Sequence, residues 1–277
     1  MTRYLDRVIA GEAATVDEWN DHLVTFHRTY DGATPGLLAR LRTPDGQTSY
    51  QLLASRIRAL APGVRDILEL GCGDGALLGL LASLYSGVAL HGVDLSEGEI
   101  ALARTRVPRA SFERGDASRI DMGHMAYDVV ASHLSFMLMP SSGMILAHAH
   151  KALREGGLLA FVIEDPLAGD TIVNALREAL TFVSRRLPNF SPTIPGRAAL
   201  ERDEVLHGLL AEADFRSISI ERFVVQAVLS PEERWNFVER TYMVGLLDPQ
   251  LRRDLREALR NGPAEATLAL RFVTARR

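Results

Sequence analysis

A chain of 277 residues, 47% hydrophobic and 24% charged, carries enough apolar material to bury a full core and sits near the upper size for one domain. Its formal net charge of −4, without any long lysine or arginine run, leaves no basis for gripping nucleic acid or an anionic membrane and points to a small-molecule partner. Cys72 is the only cysteine, which excludes an intrachain disulfide and a multi-cysteine metal site and fits a reducing compartment.

The N-terminal stretch has charges and no apolar core of signal-peptide length, and no later stretch approaches the roughly 20 apolar residues that span a bilayer, so a cytoplasmic location is expected. Residues 1–62 read as broken helices punctuated by "ATPG" and "TPDGQ", a candidate cap over the front of the molecule, with an amphipathic face that suits a lid or a homodimer contact. From residue 63 the pattern changes. "RDILEL" (65–70), "GVALHGVD" (87–94), "ASFERGD" (110–116), "YDVVAS" (127–132) and "GLLAFVIED" (157–165) are strand-like. Between them, "GALLGLLASLY", "EGEIALARTRV" and "GMILAHAHKALREG" have helical apolar spacing. This alternation predicts an α/β fold, a doubly wound parallel sheet whose ligand lies beyond the carboxyl ends of the strands.

Further on, "ALREALTFVSRRL" reads as a helix, "PNFSPTIPG" as a proline-rich lid, and "EVLHGLLAEADF" as a helix leading into the strand "RSISIERFVVQAVL". "SPEERWNFVERTYMVGLL" and "PQLRRDLREALRNG" carry helix-start features, and "ATLALRFVTA" alternates like a final strand. Insertions beside the site are therefore expected at about 166–200 and 230–262, within a domain covering 63–277.

In "ILELGCGDG" (67–75), glycines at 71, 73 and 75 permit a sharp turn and close approach of backbone to a ligand. Gly71, Gly73 and Ala76 also satisfy a loose dinucleotide-binding fingerprint, so a nicotinamide-dependent oxidoreductase is the enzymatic competitor. Glu69 argues against it, because an anion there would oppose a pyrophosphate and suit a cationic ligand. Asp94 ends the second strand, where a carboxylate can accept from a ribose diol. Asp116 ends the third, where it can accept from an adenine amine or simply form a turn.

Together with "HGVDLSEGEIALAR", "YDVVASHLSFMLM" and "HKALREGGLLAFVIED", this motif resembles the class I S-adenosylmethionine-dependent methyltransferases over residues 60–165. The resemblance implies a seven-stranded Rossmann-like sheet closed by an antiparallel hairpin, supplied here by 215–228 and 264–275. It implies S-adenosylmethionine as cofactor, with S-adenosylhomocysteine as product. Gly71, Cys72 and Gly73 would lie against its methionine part, with Glu69 near the amino end. Asp94 would take the ribose hydroxyls beside Leu95 and Ser96. Asp116 and Ala117 would meet the adenine, and Ser132 and His133 would face the sulfonium.

His133, following the fourth strand, is a candidate base or a residue that shapes the pocket, and Tyr50 is a second candidate base. Tyr30, Tyr242 and Trp235 could line an acceptor pocket or simply pack. "SHLSFMLMP", "RRLPNF" and "LALRFVTARR" further resemble bacterial natural-product methyltransferases, including those acting on the β-carbon of 2-oxo acids. That chemistry implies a cation for the carboxylate, with Arg197 and Arg271 as candidates. O- or N-methylation of another small metabolite is the alternative, as is a protein that binds S-adenosylmethionine without transferring its methyl. No metal is expected: His148 and His150, two apart on a helix, point different ways, and His22 and His27 are poorly spaced for joint ligation.

Overall fold

The structure, a computed structural model, describes residues 2–30, 32–165, 168 and 170–277. The beginning of the insertion expected at 166–200 (residues 166, 167 and 169) and residues 1 and 31 of the expected cap lie outside the described residues. One seven-stranded sheet runs through the molecule in the order β3-β2-β1-β4-β5-β7-β6. Its strands are β1 (Asp66–Leu70), β2 (Ala89–Asp94), β3 (Ser111–Arg114), β4 (Tyr127–His133), β5 (Leu153–Glu164), β6 (Arg216–Val228) and β7 (Glu265–Arg276). The first five are parallel, and β7 runs antiparallel between β5 and β6. Central strands are apolar without alternation: Ile67, Leu68 and Leu70 of β1 and Val129, Val130 and Ala131 of β4 are all buried, as a sheet covered on both faces requires.

Helices α4 (Ser49–Leu60), α5 (Ala76–Leu84) and α6 (Glu97–Arg106) pack on one another and against β5, β2 and β3, while α7 (Ser142–Ala152) and α9 (Asp203–Glu212) form a second set against β5 and β6. Thus α4, the last helix of the segment expected as a cap, belongs to the layer beside the sheet. The other N-terminal helices, α1 (Arg3–Ala10), α2 (Val16–Thr29) and α3 (Ala33–Leu38), precede it. Thr15 with Glu18 and Thr48 with Gln51 form reciprocal capping boxes that start α2 and α4 where the chain turns.

The later helices are α8 (Thr171–Arg186), α10 (Pro231–Glu239) and α11 (Pro249–Ala258). The stretch 230–247, which carries helix-start features, is helical only as far as Glu239, and turns occupy 241–247. Within these turns Gly245 has no room for a side chain: a Cβ there would lie 2.8 Å from the Glu239 carbonyl oxygen and 2.9 Å from the rings of Phe26 and Tyr30 on and beside α2. No described helix is long and apolar enough to cross a membrane.

Candidate active site

The sheet winds outward from the junction of β1 and β4, and a cleft opens there beyond the strand ends, where such folds bind ligands. Gly71 turns the chain out of β1 with φ 66°, and its N–H and that of Cys72 both donate to the Val93 carbonyl at the end of β2. Gly73 N–H donates to Asp94 Oδ2 at 2.9 Å, and Ser96 N–H to Oδ1 at 2.8 Å. Asp94 is thereby aimed by two backbone donors, each leaving lone pairs free on its oxygen.

A narrow cavity of about 90 Å³ lies against this loop, walled by Glu69, Gly71, Cys72, Gly73, Asp94, Leu95, Asp116, Ala117, His133 and Tyr50 among others. Glu69 is 1% exposed and its Oε2 has no hydrogen-bond partner among the described residues. Burial, then the charges of Asp94 and Asp74, push its pKa far above the usual carboxylate range, with only the Leu78 N–H opposing. Burial likewise raises Asp94. The cavity is thus a desolvated well of carboxyl groups, in which a bound cation would favour the ionised form of Glu69.

A second, larger cavity of about 760 Å³ adjoins it, bounded by α8, α10, the 241–243 turn and the start of β7. Its lining is chiefly apolar, with Met137, Ile172, Leu176, Trp235 and Met243 among the side chains. Thr34, Leu134, Leu138 and Tyr242 line both cavities and form the partition.

Several expected site residues do other work. The Ser96 hydroxyl caps α6, and the Ser132 hydroxyl donates to the Leu70 carbonyl at 2.9 Å; neither lines the cavity. Tyr30 donates to the Gly245 carbonyl and accepts from Arg252, binding the 241–247 turns to α2 outside both cavities. Arg271, 1% exposed, spends its guanidinium on the carbonyls of Glu164 and Leu200 and on Asp203, so it is not available to an acceptor carboxylate. Arg197 does line the large cavity but is paired with Glu164. Asp116 accepts from Ser118 and from Asn20 Nδ2, the latter at 3.1 Å.

His133 stacks on Tyr50 with ring centroids 3.7 Å apart, and its Nε2 is 3.0 Å from Ser49 Oγ. Burial lowers its pKa to about 3. A neutral imidazole so reluctant to take a proton is a weak base at neutral pH, and a cation in the cavity would weaken it further. Burial, followed by Glu69 and Asp74, raises the Tyr50 phenol well above its usual value, so it too stays neutral.

Sequence reasoning missed Asn20, His27, Thr34, Asp74 and Glu99, all on the small cavity. Asn20, His27 and Thr34 come from the N-terminal helices, where no motif marks them, and Glu99 stood inside "HGVDLSEGEIALAR" on a helix, where its partners His27 and Gly32 were invisible. Asp74 stood within the glycine motif, where its pairing with Arg106 was invisible. No group of three or more metal-ligating side chains occurs among the described residues.

The profile of a methyltransferase domain matches residues 67–157. The chain is 30% identical over 131 residues to a trans-aconitate 2-methyltransferase of Variovorax paradoxus, covering 47% of this chain and 49% of that protein. It is also 30% identical over 141 residues to a malonyl-[acyl-carrier protein] O-methyltransferase of Priestia megaterium, covering 50% of each. Each match spans about half the relative's length. A solved phosphoethanolamine N-methyltransferase 2 of Haemonchus contortus, in complex with S-adenosyl-L-methionine, shares the fold with a TM-score of 0.60 at 17% identity, over 96% of this chain and 60% of that one.

Proposed function

The chain belongs to the class I S-adenosylmethionine-dependent methyltransferases, and from that membership we propose that it transfers the cofactor's methyl group to a small, largely apolar acceptor held in the 760 Å³ cavity. The observation that carries this reading is the buried, unpartnered Glu69 Oε2 in a well shared with Asp94. A sulfonium and an ammonium on one ligand suit such a well because they favour ionised carboxylates; the pyrophosphate of a dinucleotide would raise the carboxyl pKa values still further and gain no counter-charge from them, which disfavours the oxidoreductase alternative.

When bound, S-adenosylmethionine supplies an already activated methyl group, so the protein's task is mainly alignment and exclusion of water. Glu69 would offset the ligand's positive charge, and the Gly71–Gly73 backbone would pass close to it. Asp94 would accept from the ribose hydroxyls, with Leu95 and Ala117 against the base and Asp116 at its edge. His133, neutral and stacked on Tyr50, would wall the site without adding a charge. The apolar lining of the second cavity would orient the acceptor, in a volume suited to a drug-sized molecule such as a natural product.

Methylation at the β-carbon of a 2-oxo acid is a second reading, favoured by Arg197 on the cavity wall and opposed by the Glu164 carboxylate already on that guanidinium. The test has two parts. Calorimetric titration with S-adenosylhomocysteine should give heat that Asp94→Ala abolishes; binding of NAD alone would overturn the proposal. Incubation with S-adenosylmethionine and four acceptors (an alkyl phenol, an alkyl amine, a medium-chain fatty acid and an alkyl 2-oxo acid) then reports the acceptor class. Methylation of the 2-oxo acid alone would replace the broader reading with the second one.

A further inference from the structure

We propose that Tyr242, His27 and Glu99 form a proton relay that deprotonates the acceptor at the partition between the two cavities, with Tyr242 as the catalytic residue and His27 and Glu99 positioned behind it. The inference rests on the methyl-transfer reading and supplies what that reading leaves open, the destination of the acceptor's proton.

Tyr242 lines both cavities, so its side chain is reached from the acceptor side and the cofactor side alike. Its hydroxyl lies 3.3 Å from His27 Nε2, and His27 Nδ1 lies 3.0 Å from Glu99 Oε1. Glu99 is 2% exposed, and the same Oε1 accepts from the Gly32 N–H at 2.9 Å, which fixes the carboxylate. With Glu99 Oε1 as the acceptor toward His27, as it is toward Gly32 N–H, the His27 proton resides on Nδ1 and Nε2 is left with a lone pair toward the phenol. This is the orientation a relay needs.

The phenol is held from several sides. The Tyr242 carbonyl accepts from His22 Nε2 at 2.7 Å, and the fully buried His22 ring is tied by Nδ1 to Thr2 Oγ1 at 2.7 Å. Phe26 and Trp19 pack on the Tyr242 ring with centroids 4.5 and 6.0 Å away. Burial, then the charge of Asp94, raises the Tyr242 pKa, so a free phenolate does not accumulate. The hydroxyl must therefore take the acceptor's proton as it passes its own to His27 Nε2. The electron pair freed on the acceptor atom forms the bond to the methyl carbon, and the pair of the breaking carbon–sulfur bond stays on sulfur. Among the described residues, the charged groups facing this relay are Glu99, Asp94, Asp74 with its partner Arg106, and Glu164 with its partner Arg197, with Tyr50 as a neutral neighbour. His133, the base candidate of the motif region, has no such carboxylate behind it: its Nδ1 has no hydrogen-bond partner among the described residues.

Two experiments decide the matter. In protein labelled with ¹⁵N-histidine and saturated with S-adenosylhomocysteine, long-range proton–nitrogen spectra should show neutral His27 protonated on Nδ1, with its titration shifted in Glu99→Gln and its Nε2 resonance moved in Tyr242→Phe. With S-adenosylmethionine and the alkyl phenol, Tyr242→Phe and His27→Gln should each lower kcat by about 100-fold. Glu99→Gln should displace the acid limb of the kcat profile. A His27 protonated on Nε2, an unaltered kcat in Tyr242→Phe, or methylation confined to the fatty acid, whose carboxylate needs no base, would each overturn the relay. Failure of the wild type to bind S-adenosylhomocysteine would instead remove the methyl-transfer reading, with the histidine spectrum of the ligand-free protein then deciding the relay geometry. If S-adenosylhomocysteine binds and none of the four acceptors is methylated, the histidine spectrum decides alone.

Discussion

Gly71 has no room for a side chain. A Cβ there would stand 2.3 Å from the Ser135 Cβ, and its φ of 66° is unfavourable for other residues. Gly71→Ala should cost roughly 1–3 kcal/mol in urea unfolding and also displace the loop that aims Asp94, so S-adenosylhomocysteine affinity falls with it. Glu69 sets binding against stability. Its folded pKa is raised, so the folded state holds a proton that the unfolded state has released, and its contribution to stability is present at low pH and lost as pH rises from the ordinary carboxylate range through the raised value. Glu69→Gln should therefore melt higher than wild type at neutral pH, with a smaller decline as pH increases, and bind S-adenosylmethionine more weakly. Parallel pH curves for the two proteins would contradict this.

Helix α2 closes the front of the cleft. Trp19, fully buried, donates from Nε1 to the Leu138 carbonyl at 2.8 Å, joining α2 to the segment after β4. Asn20 reaches Asp116 and His27 reaches Glu99 from the same helix. The small cavity is far below the several hundred Å³ of usual ligand sites, so α2 and the 241–247 turns must part for a nucleoside-sized ligand to enter. Trp19→Phe removes one hydrogen bond while keeping a ring in place, a loss of about 1 kcal/mol. We expect faster association of S-adenosylhomocysteine in that variant by stopped-flow fluorescence; an unchanged rate would mean that entry does not involve α2. None of these contacts was legible in the chain, because α2 carries no motif and its partners lie about 70 to 220 positions away.

The hairpin of β6 and β7 binds the later half of the molecule to the parallel core. Arg271 of β7 joins the carbonyls of Glu164 and Leu200 to Asp203 at the start of α9, and Arg222 of β6 pairs with both Asp203 and Asp165 at 2.7 Å. Removing a buried charge from such a set leaves its partners unpaired, so Arg271→Met should lower stability by about 3–5 kcal/mol. The KM of folded enzyme for its acceptor should be unchanged, which enzyme kinetics below the melting transition would check. A sequence reader sees an arginine in an apolar strand and assigns it to a ligand, since the carbonyls and carboxylate that occupy it come from three separate segments.

The strand and helix periods, the glycine loop, Asp94 at the end of β2 and Asp116 just beyond β3 were readable in the chain because each is a local pattern: apolar spacing sets which face is buried, and a turn without side chains can be written only in glycine. The count of seven strands and the antiparallel pair at the end of the sheet followed from the family resemblance that those patterns carry, and the strand order came from the structure. The acceptor cavity, the unpartnered Glu69 oxygen, the occupied guanidinium of Arg271 and the alignment of Glu99, His27 and Tyr242 belong to the tertiary structure. They depend on which distant side chains meet and how far water is excluded, and desolvation and hydrogen-bond partnership have no period along the chain.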